Sequence, residues 1–127
     1  MIVVDTHIAA WLVRSPEVLR PAELAAIRAE RTAVSAVSLW ELRIKWNLFT
    51  ATGARKGPVD PADVRDGLAV LGVELLPLTV DQVTGPPVPT PHKDPFDELL
   101  LAICRERGAR LLTRDGKLRD HPFAFAP

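Results

Sequence analysis

Five carboxylates fall where they could do chemistry together. Asp5 directly follows the β-branched run Ile2-Val3-Val4, and Asp115 closes the run Leu111-Leu112-Thr113-Arg114. Asp94 and Asp97 bracket Pro95 at the head of an apolar-striped segment, and Glu41 lies just inside another. Carboxylates brought together in a partly dry site repel one another, which raises their pKa values and makes the ionised cluster costly. A hard divalent cation relieves that repulsion. Mg²⁺ is the natural choice, because it takes oxygen ligands from one or two carboxylates and keeps several waters. Such a site activates water, polarises a phosphoryl oxygen and stabilises the leaving oxygen, and two ions about 4 Å apart can divide those tasks.

Each acid also has a purely structural use. Asp5 and Asp94 are well placed as helix N-caps, the latter directly before a proline. Ser38 and Glu41 spell a capping box, and Glu41 can instead pair with Lys45 one turn on. Asp97 in a first helical turn gains from the helix dipole, and Asp115 before Gly116 suits a turn. No single acid decides the matter. The pointer to a site is that all of them fall at the same end of successive elements. Competing chemistries lack their residues: there is no phosphate-binding P-loop, no glycine-rich dinucleotide motif and no Ser/His/Asp arrangement. His7, His92 and His121 have no metal-motif spacing among themselves.

The elements that must position these acids alternate. Residues 2–4 read as a buried strand and 6–13 as a helix with Ile8, Trp11 and Leu12 on one face. Ser15-Pro16 reads as an N-cap and first helical residue, opening an arm that runs to about residue 30. Residues 32–37 form a second strand, and Ser38 begins a helix carrying Leu39, Leu42 and Trp46. Residues 53–59 are a loop, 60–71 a helix closed by Gly72, 73–78 a third strand and 79–84 a short helix. Residues 85–91 hold four of the 12 prolines and read as a stiff extended loop outside the core. The strongest helix spans 94–108, with Phe96, Leu99, Leu100 and Ile103 as its stripe; 110–113 is a fourth strand and 122–125 a fifth, at an edge. Short apolar strands alternating with helices predict an α/β three-layer sandwich: a mostly parallel sheet of four or five strands with helices on both faces. Such sheets gather function at the C-terminal ends of their strands.

A chain of 127 residues fits one domain, 1–127, and its 47% hydrophobic and 25% charged composition suits a soluble core-forming protein. Lys and Arg total 16, as do Asp and Glu, so the net charge is zero. This does not argue against nucleic acid, because binding depends on where charges sit. A lone cysteine, Cys104, excludes an internal disulfide and suits a reducing cytoplasm; it reads as an inert core residue. The opening residues carry no basic leader and Asp5 interrupts their apolar run, so neither a signal peptide nor a membrane span is expected.

Four blocks occur in order: Val3-Val4-Asp5-Thr6-His7, Ser35-Ala36-Val37-Ser38-Leu39-Trp40-Glu41-Leu42, His92-Lys93-Asp94-Pro95-Phe96-Asp97 and Leu112-Thr113-Arg114-Asp115. The series closely resembles the PIN-domain toxins of the VapC type, from bacterial type II toxin–antitoxin systems, over nearly the whole chain. The resemblance implies a Mg²⁺- or Mn²⁺-dependent endoribonuclease that cuts structured RNA such as tRNA or rRNA, a cognate VapB-type antitoxin that blocks it, and a homodimer. It implies that Asp5, Glu41, Asp97 and Asp115 are the four site acids. Asp5 and Asp97 would hold the principal ion directly, and Glu41 and Asp115 its waters or a second ion. Asp94 is then a supporting residue that caps the helix presenting Asp97, with Thr6 and Thr113 as hydrogen-bonding neighbours of the acids. Arg114, Lys117, Lys93 and His92 lie near enough in sequence to meet an RNA backbone, with a solvated surface as their alternative; Arg43 and Lys45 share that ambiguity.

Rival α/β families fit less well. A haloacid-dehalogenase-like phosphatase needs a second aspartate two residues after the first, where this chain has His7, and a receiver-like domain needs an acid pair near the first strand. A non-catalytic module on the same fold would be signalled by a missing acid, and none is missing.

Overall fold

The computed structural model describes residues 1–127. Its strands are β1 (Ile2–Val4), β2 (Thr32–Ser35), β3 (Glu74–Leu76), β4 (Arg110–Leu112) and β5 (Ala124–Phe125). Its helices are α1 (Thr6–Arg14), α2 (Pro21–Ala29), α3 (Ala36–Trp46), α4 (Pro61–Val70), α5 (Val80–Thr84) and α6 (Pro95–Arg107). All strands are parallel, in the order β3-β2-β1-β4-β5. The α/β three-layer expectation holds.

Period-two alternation sorts the strand side chains between two cores. Ile2, Val4, Val34 and Leu112 point to one face, where they pack with Ile8 and Ala9 of α1 and with Val64 and Leu68 of α4. Val3, Ala33, Leu76 and Leu111 point to the other, against Leu100, Leu101, Ile103 and Cys104 of α6. Burial on both faces explains why these strands are continuous apolar runs. Cys104 is fully buried, and burial pushes its thiol up to about 12. That thiol stays protonated and inert, as expected.

The chain runs outward from β1 through β2 to β3, then returns to lay β4 on the other side of β1. The strand order therefore reverses beside β1, with Val3 registered on Leu111 and Val4 on Leu112. Ligand crevices form outside the strand ends at such a reversal. Asp5 and Thr113 stand there, and the Asp5 amide donates to the Leu112 carbonyl at 3.0 Å.

Three local expectations need correction. The arm after Ser15 is not one helix: a single 3₁₀ turn, Pro16–Val18, precedes α2, and Ser15 makes no side-chain cap. Pro21 is the cause, because proline excludes the helical region for the residue before it and holds Arg20 extended at φ −75°, ψ 152°. Secondly, β2 ends at Ser35, which itself caps α3 by accepting from the Val37 amide at 3.2 Å. Ser38 is therefore inside the helix with its hydroxyl unpartnered, no Ser38–Glu41 capping box forms, and Glu41 lies in the second turn rather than the first. Thirdly, the proline-rich loop does enter the core. Val88 is buried in the α6 cluster, and its amide donates to Glu98 Oε1 at 2.7 Å.

Candidate active site

The ends of β1 and β4 and the heads of α3 and α6 enclose a cavity of about 570 Å³. It is lined by Asp5, Glu41, Asp94, Asp97 and Asp115, so all five carboxylates anticipated on one rim do converge. Thr6, Thr113, Arg114 and His92 line it too, with Trp11 the single hydrophobic residue.

Asp5 is 7% exposed and uses both carboxylate oxygens. Oδ1 accepts from the Ile8 amide at 2.9 Å, capping α1, and Oδ2 accepts from the Thr113 hydroxyl at 2.6 Å. Its capping role and its place in the cavity are thus held at once. Burial raises its pKa; the Thr113 and Ile8 bonds oppose that rise and the nearby Glu41 adds to it. Glu41 is reached from both sides: the Thr6 hydroxyl donates to Oε1 at 2.7 Å, and Lys45 Nζ meets Oε2 at 3.0 Å. The Glu41–Lys45 pair read from helical spacing is therefore present.

Asp94 caps α6, accepting from the Phe96 and Asp97 amides at 2.9 and 3.3 Å. Pro95 occupies the first helical position, where its missing N–H costs nothing. At the far end Gly108 closes the helix at φ +63°, a left-handed conformation that glycine alone adopts freely. Asp97, in the first turn, has its pKa raised by burial and by Asp94, against a lowering bond from His92. Asp115 makes a turn, accepting from the Lys117 amide at 2.9 Å, and keeps Oδ2 in the cavity.

His92 is more central than its sequence position suggested. Its Nε2 lies 2.8 Å from Asp97 Oδ2 and 3.6 Å from Asp115 Oδ2, between two of the acids. Donor atoms of His92, Asp94 and Asp97 lie within 4.8 Å of one another, close enough to share one ion. The signal available in the sequence was its place two residues before the α6 cap, at the end of a proline-stiffened loop.

Arg114 lines the cavity but is committed elsewhere. Its Nε and Nη2 clamp Glu23 at 2.8 and 2.5 Å, Nη2 also reaches the Val18 carbonyl, and the guanidinium lies 4.4 Å above the Trp11 ring. Lys93 and Lys117 are exposed and do not line the cavity. Arg43 is exposed in a separate shallow groove beside Trp40 and Arg65.

The donor set fits a hard divalent cation. It is mostly carboxylate oxygen, with the imidazoles of His7 and His92 the only nitrogen donors a metal could take and no thiolate. Asp5 and Asp97 are pushed up by burial and by a neighbouring carboxylate, Glu41 for the first and Asp94 for the second, while Arg114, the one guanidinium present, faces Glu23. The protein alone leaves the cluster under-compensated, which is the condition a cation corrects.

The chain belongs to the PIN domain family, whose model matches residues 2–124. No curated protein matches it in sequence. Among solved structures it is similar to VapBC2 from Rickettsia felis, described bound to a DNA fragment from its promoter. That match has a TM-score of 0.62 and 15% identity, covering 100% of this chain and 98% of the other. It is also similar to FitAcB from Neisseria gonorrhoeae, with a TM-score of 0.56, 16% identity and coverage of 100% and 97%. At such identities the likeness speaks for the fold.

Proposed function

We propose that this protein is a Mg²⁺-dependent endoribonuclease toxin that cuts structured RNA, tRNA or rRNA, by hydrolysis of a phosphodiester, with Mn²⁺ able to replace Mg²⁺. The observation that carries the proposal is the convergence of Asp5, Glu41, Asp97 and Asp115 on one cavity at the point where the strand order reverses.

Asp5 and Asp97 are the residues to hold the principal ion, and Glu41 and Asp115 complete the site. The bound ion supplies charge for the phosphoryl oxygens and lowers the pKa of water. The protein's own part is positioning. Thr113 and the Ile8 amide fix the Asp5 carboxylate, Thr6 and Lys45 fix Glu41, and the Asp94 cap sets the first turn that carries Asp97. Water replaces the 3′-oxygen at phosphorus, leaving a 3′-hydroxyl and a 5′-phosphate.

The proposed partners are a VapB-type antitoxin and a second copy of this chain. The structural neighbours' names, VapBC2 and FitAcB, are in keeping with the first. Exposed apolar residues offer docking surface: Trp40, Ile44, Leu48 and Phe49 along and after α3, Val70 and Leu71 at the end of α4, and Val80 and Val83 on α5. No helix is long and apolar enough to cross a membrane.

The test is cleavage of total tRNA and rRNA by the purified protein with Mg²⁺, Mn²⁺ or EDTA. Wild type should cut only with metal, and Asp5→Ala and Asp97→Ala should not cut. Equal cutting by the variants would show a contaminating nuclease and remove the assignment.

A further inference from the structure

We infer that a second, cationic groove beside the acidic cavity holds the RNA phosphate backbone flanking the cut. This rests on the phosphodiester-cleaving reading of the acidic cavity. The groove, about 520 Å³, shares Thr6, His7 and Trp11 with that cavity and so opens directly from it across α1. Its charged lining is Arg14, Lys45 and Lys56, with no carboxylate. In a chain of zero net charge, the two grooves thus separate the signs: five acids in one, three cations in the next. Lys45 stands at the junction, bound to Glu41, whereas Arg14 and Lys56 make no ion pair.

Lys56 is held there by a built loop. An antiparallel bridge joins Phe49 to Arg55, and the Lys56 amide donates to the Leu48 carbonyl at 2.8 Å. Arg55 stacks over Trp46 and Phe49 at 4.4 and 4.9 Å and donates to the Trp46 carbonyl at 2.6 Å. Gly57 then passes so close to the end of α3 that a Cβ would lie 2.5 Å from the Trp46 amide nitrogen. The backbone of the loop is fixed while the Lys56 ammonium is left unpaired. Two unpaired cations, Arg14 and Lys56, beside an acidic hydrolytic site fit a polyanion whose next phosphates continue past the cut, and neutralising them releases counterions.

The probe is a fluorescein-labelled RNA stem-loop, followed by anisotropy in EDTA on an Asp97→Asn background, so that binding is read without cleavage. Arg14→Gln with Lys56→Gln should weaken binding about tenfold near 0.1 M salt and flatten the log–log salt slope by roughly 1.4–1.8, the loss of two phosphate contacts in the loop or the stem. Arg28→Gln with Arg107→Gln, also exposed but outside the groove's lining, should change neither. Mg²⁺-dependent hydrolysis of bis(p-nitrophenyl) phosphate, too small to span both grooves, should be equal in wild type and Arg14→Gln/Lys56→Gln when Asp97 is intact. Unchanged RNA binding in the groove variant, or an equal loss in the control pair, overturns the inference. So does binding of an oligoglutamate peptide without binding of RNA, which would make the groove a peptide site. Absence of metal-dependent hydrolysis of either substrate by wild type removes the nuclease reading instead, and leaves the binding comparison to judge the groove.

Discussion

The Thr113 hydroxyl donates to Asp5 Oδ2 at 2.6 Å across 108 residues of sequence, and Thr113 Oγ1 in turn accepts from the Asp115 amide at 3.1 Å. One side chain at the end of β4 thereby orients the carboxylate at the end of β1 and the turn that carries a second acid. Thr113→Val keeps the shape and removes the bond. It should lower stability by about 1–2 kcal/mol, because Asp5 is left buried with an unmet acceptor. It should also weaken Mg²⁺ binding roughly tenfold or more, as loss of an orienting partner does. Calorimetric titration of Mg²⁺ and thermal melts in EDTA separate the two effects.

Asp5 caps a helix and lines the cavity, and two substitutions divide those roles. Asp5→Asn keeps an oxygen for the Ile8 amide, so its melting temperature in EDTA should stay close to that of wild type, while RNA cleavage and the Mg²⁺-induced rise in melting temperature are lost. Asp5→Ala should lose both, and about 1 kcal/mol of stability besides, the usual cost of a missing N-cap. If Asp5→Asn cuts RNA at the wild-type rate, Asp5 is a cap and nothing more.

Asp97 is held in a place unfavourable to its charge, half buried beside Asp94. Asp97→Asn removes that charge without removing the side chain's bulk. The metal-free variant should therefore melt at the same temperature as wild type or a higher one. Saturating Mg²⁺ should then raise the melting temperature of wild type and leave the variant unmoved, since a ligand stabilises only the state that binds it. A variant less stable than wild type in EDTA and equally stabilised by Mg²⁺ would place the ion elsewhere.

Much of the site was legible because its acids are local signals. Asp5 ends a β-branched strand, Asp94 precedes a proline at a helix head, and Asp115 follows the apolar run of β4; strand ends in a parallel sheet share one edge. The sheet was legible for the same reason, since buried strands read as short apolar runs. What escaped was set by long-range packing. Arg114 looked free to meet RNA because Glu23, its partner, is 91 residues away in sequence and lies in a segment whose turn at Pro21 broke the expected helix. His92 reached the acids because Val88 docks into the core and draws the proline-rich loop over α6. Ser38 misled because the Ser-x-x-Glu pattern is satisfied equally well one turn inside a helix. Ser35 won the cap through the position at which β2 ends.

Glu23 and Arg114 carry the clearest dependence on pH. Glu23 is 1% exposed, and the bidentate Arg114 guanidinium holds its carboxyl below the ordinary value of 4.5 in spite of that burial. A carboxylate with a depressed folded pKa adds stability that is fully present above its unfolded value and is lost as pH falls through the folded one. Glu23→Gln should therefore melt below wild type at neutral pH, and the gap should close as pH falls below about 4.5 and through the lowered folded value. Arg114→Ala strands a buried carboxylate and should cost roughly 3 kcal/mol at pH 7, shrinking over the same range as Glu23 becomes protonated. Arg114→Lys should recover only part of this, because an ammonium cannot reproduce two parallel bonds to one carboxylate or lie flat over Trp11. Melting curves of the three variants from pH 3 to pH 8, in EDTA, check the set. A gap that does not shrink at all as pH falls below the ordinary carboxyl value would mean that the pair acts through packing and not through charge, and Arg114 would then be free in energetic terms to turn toward a phosphate.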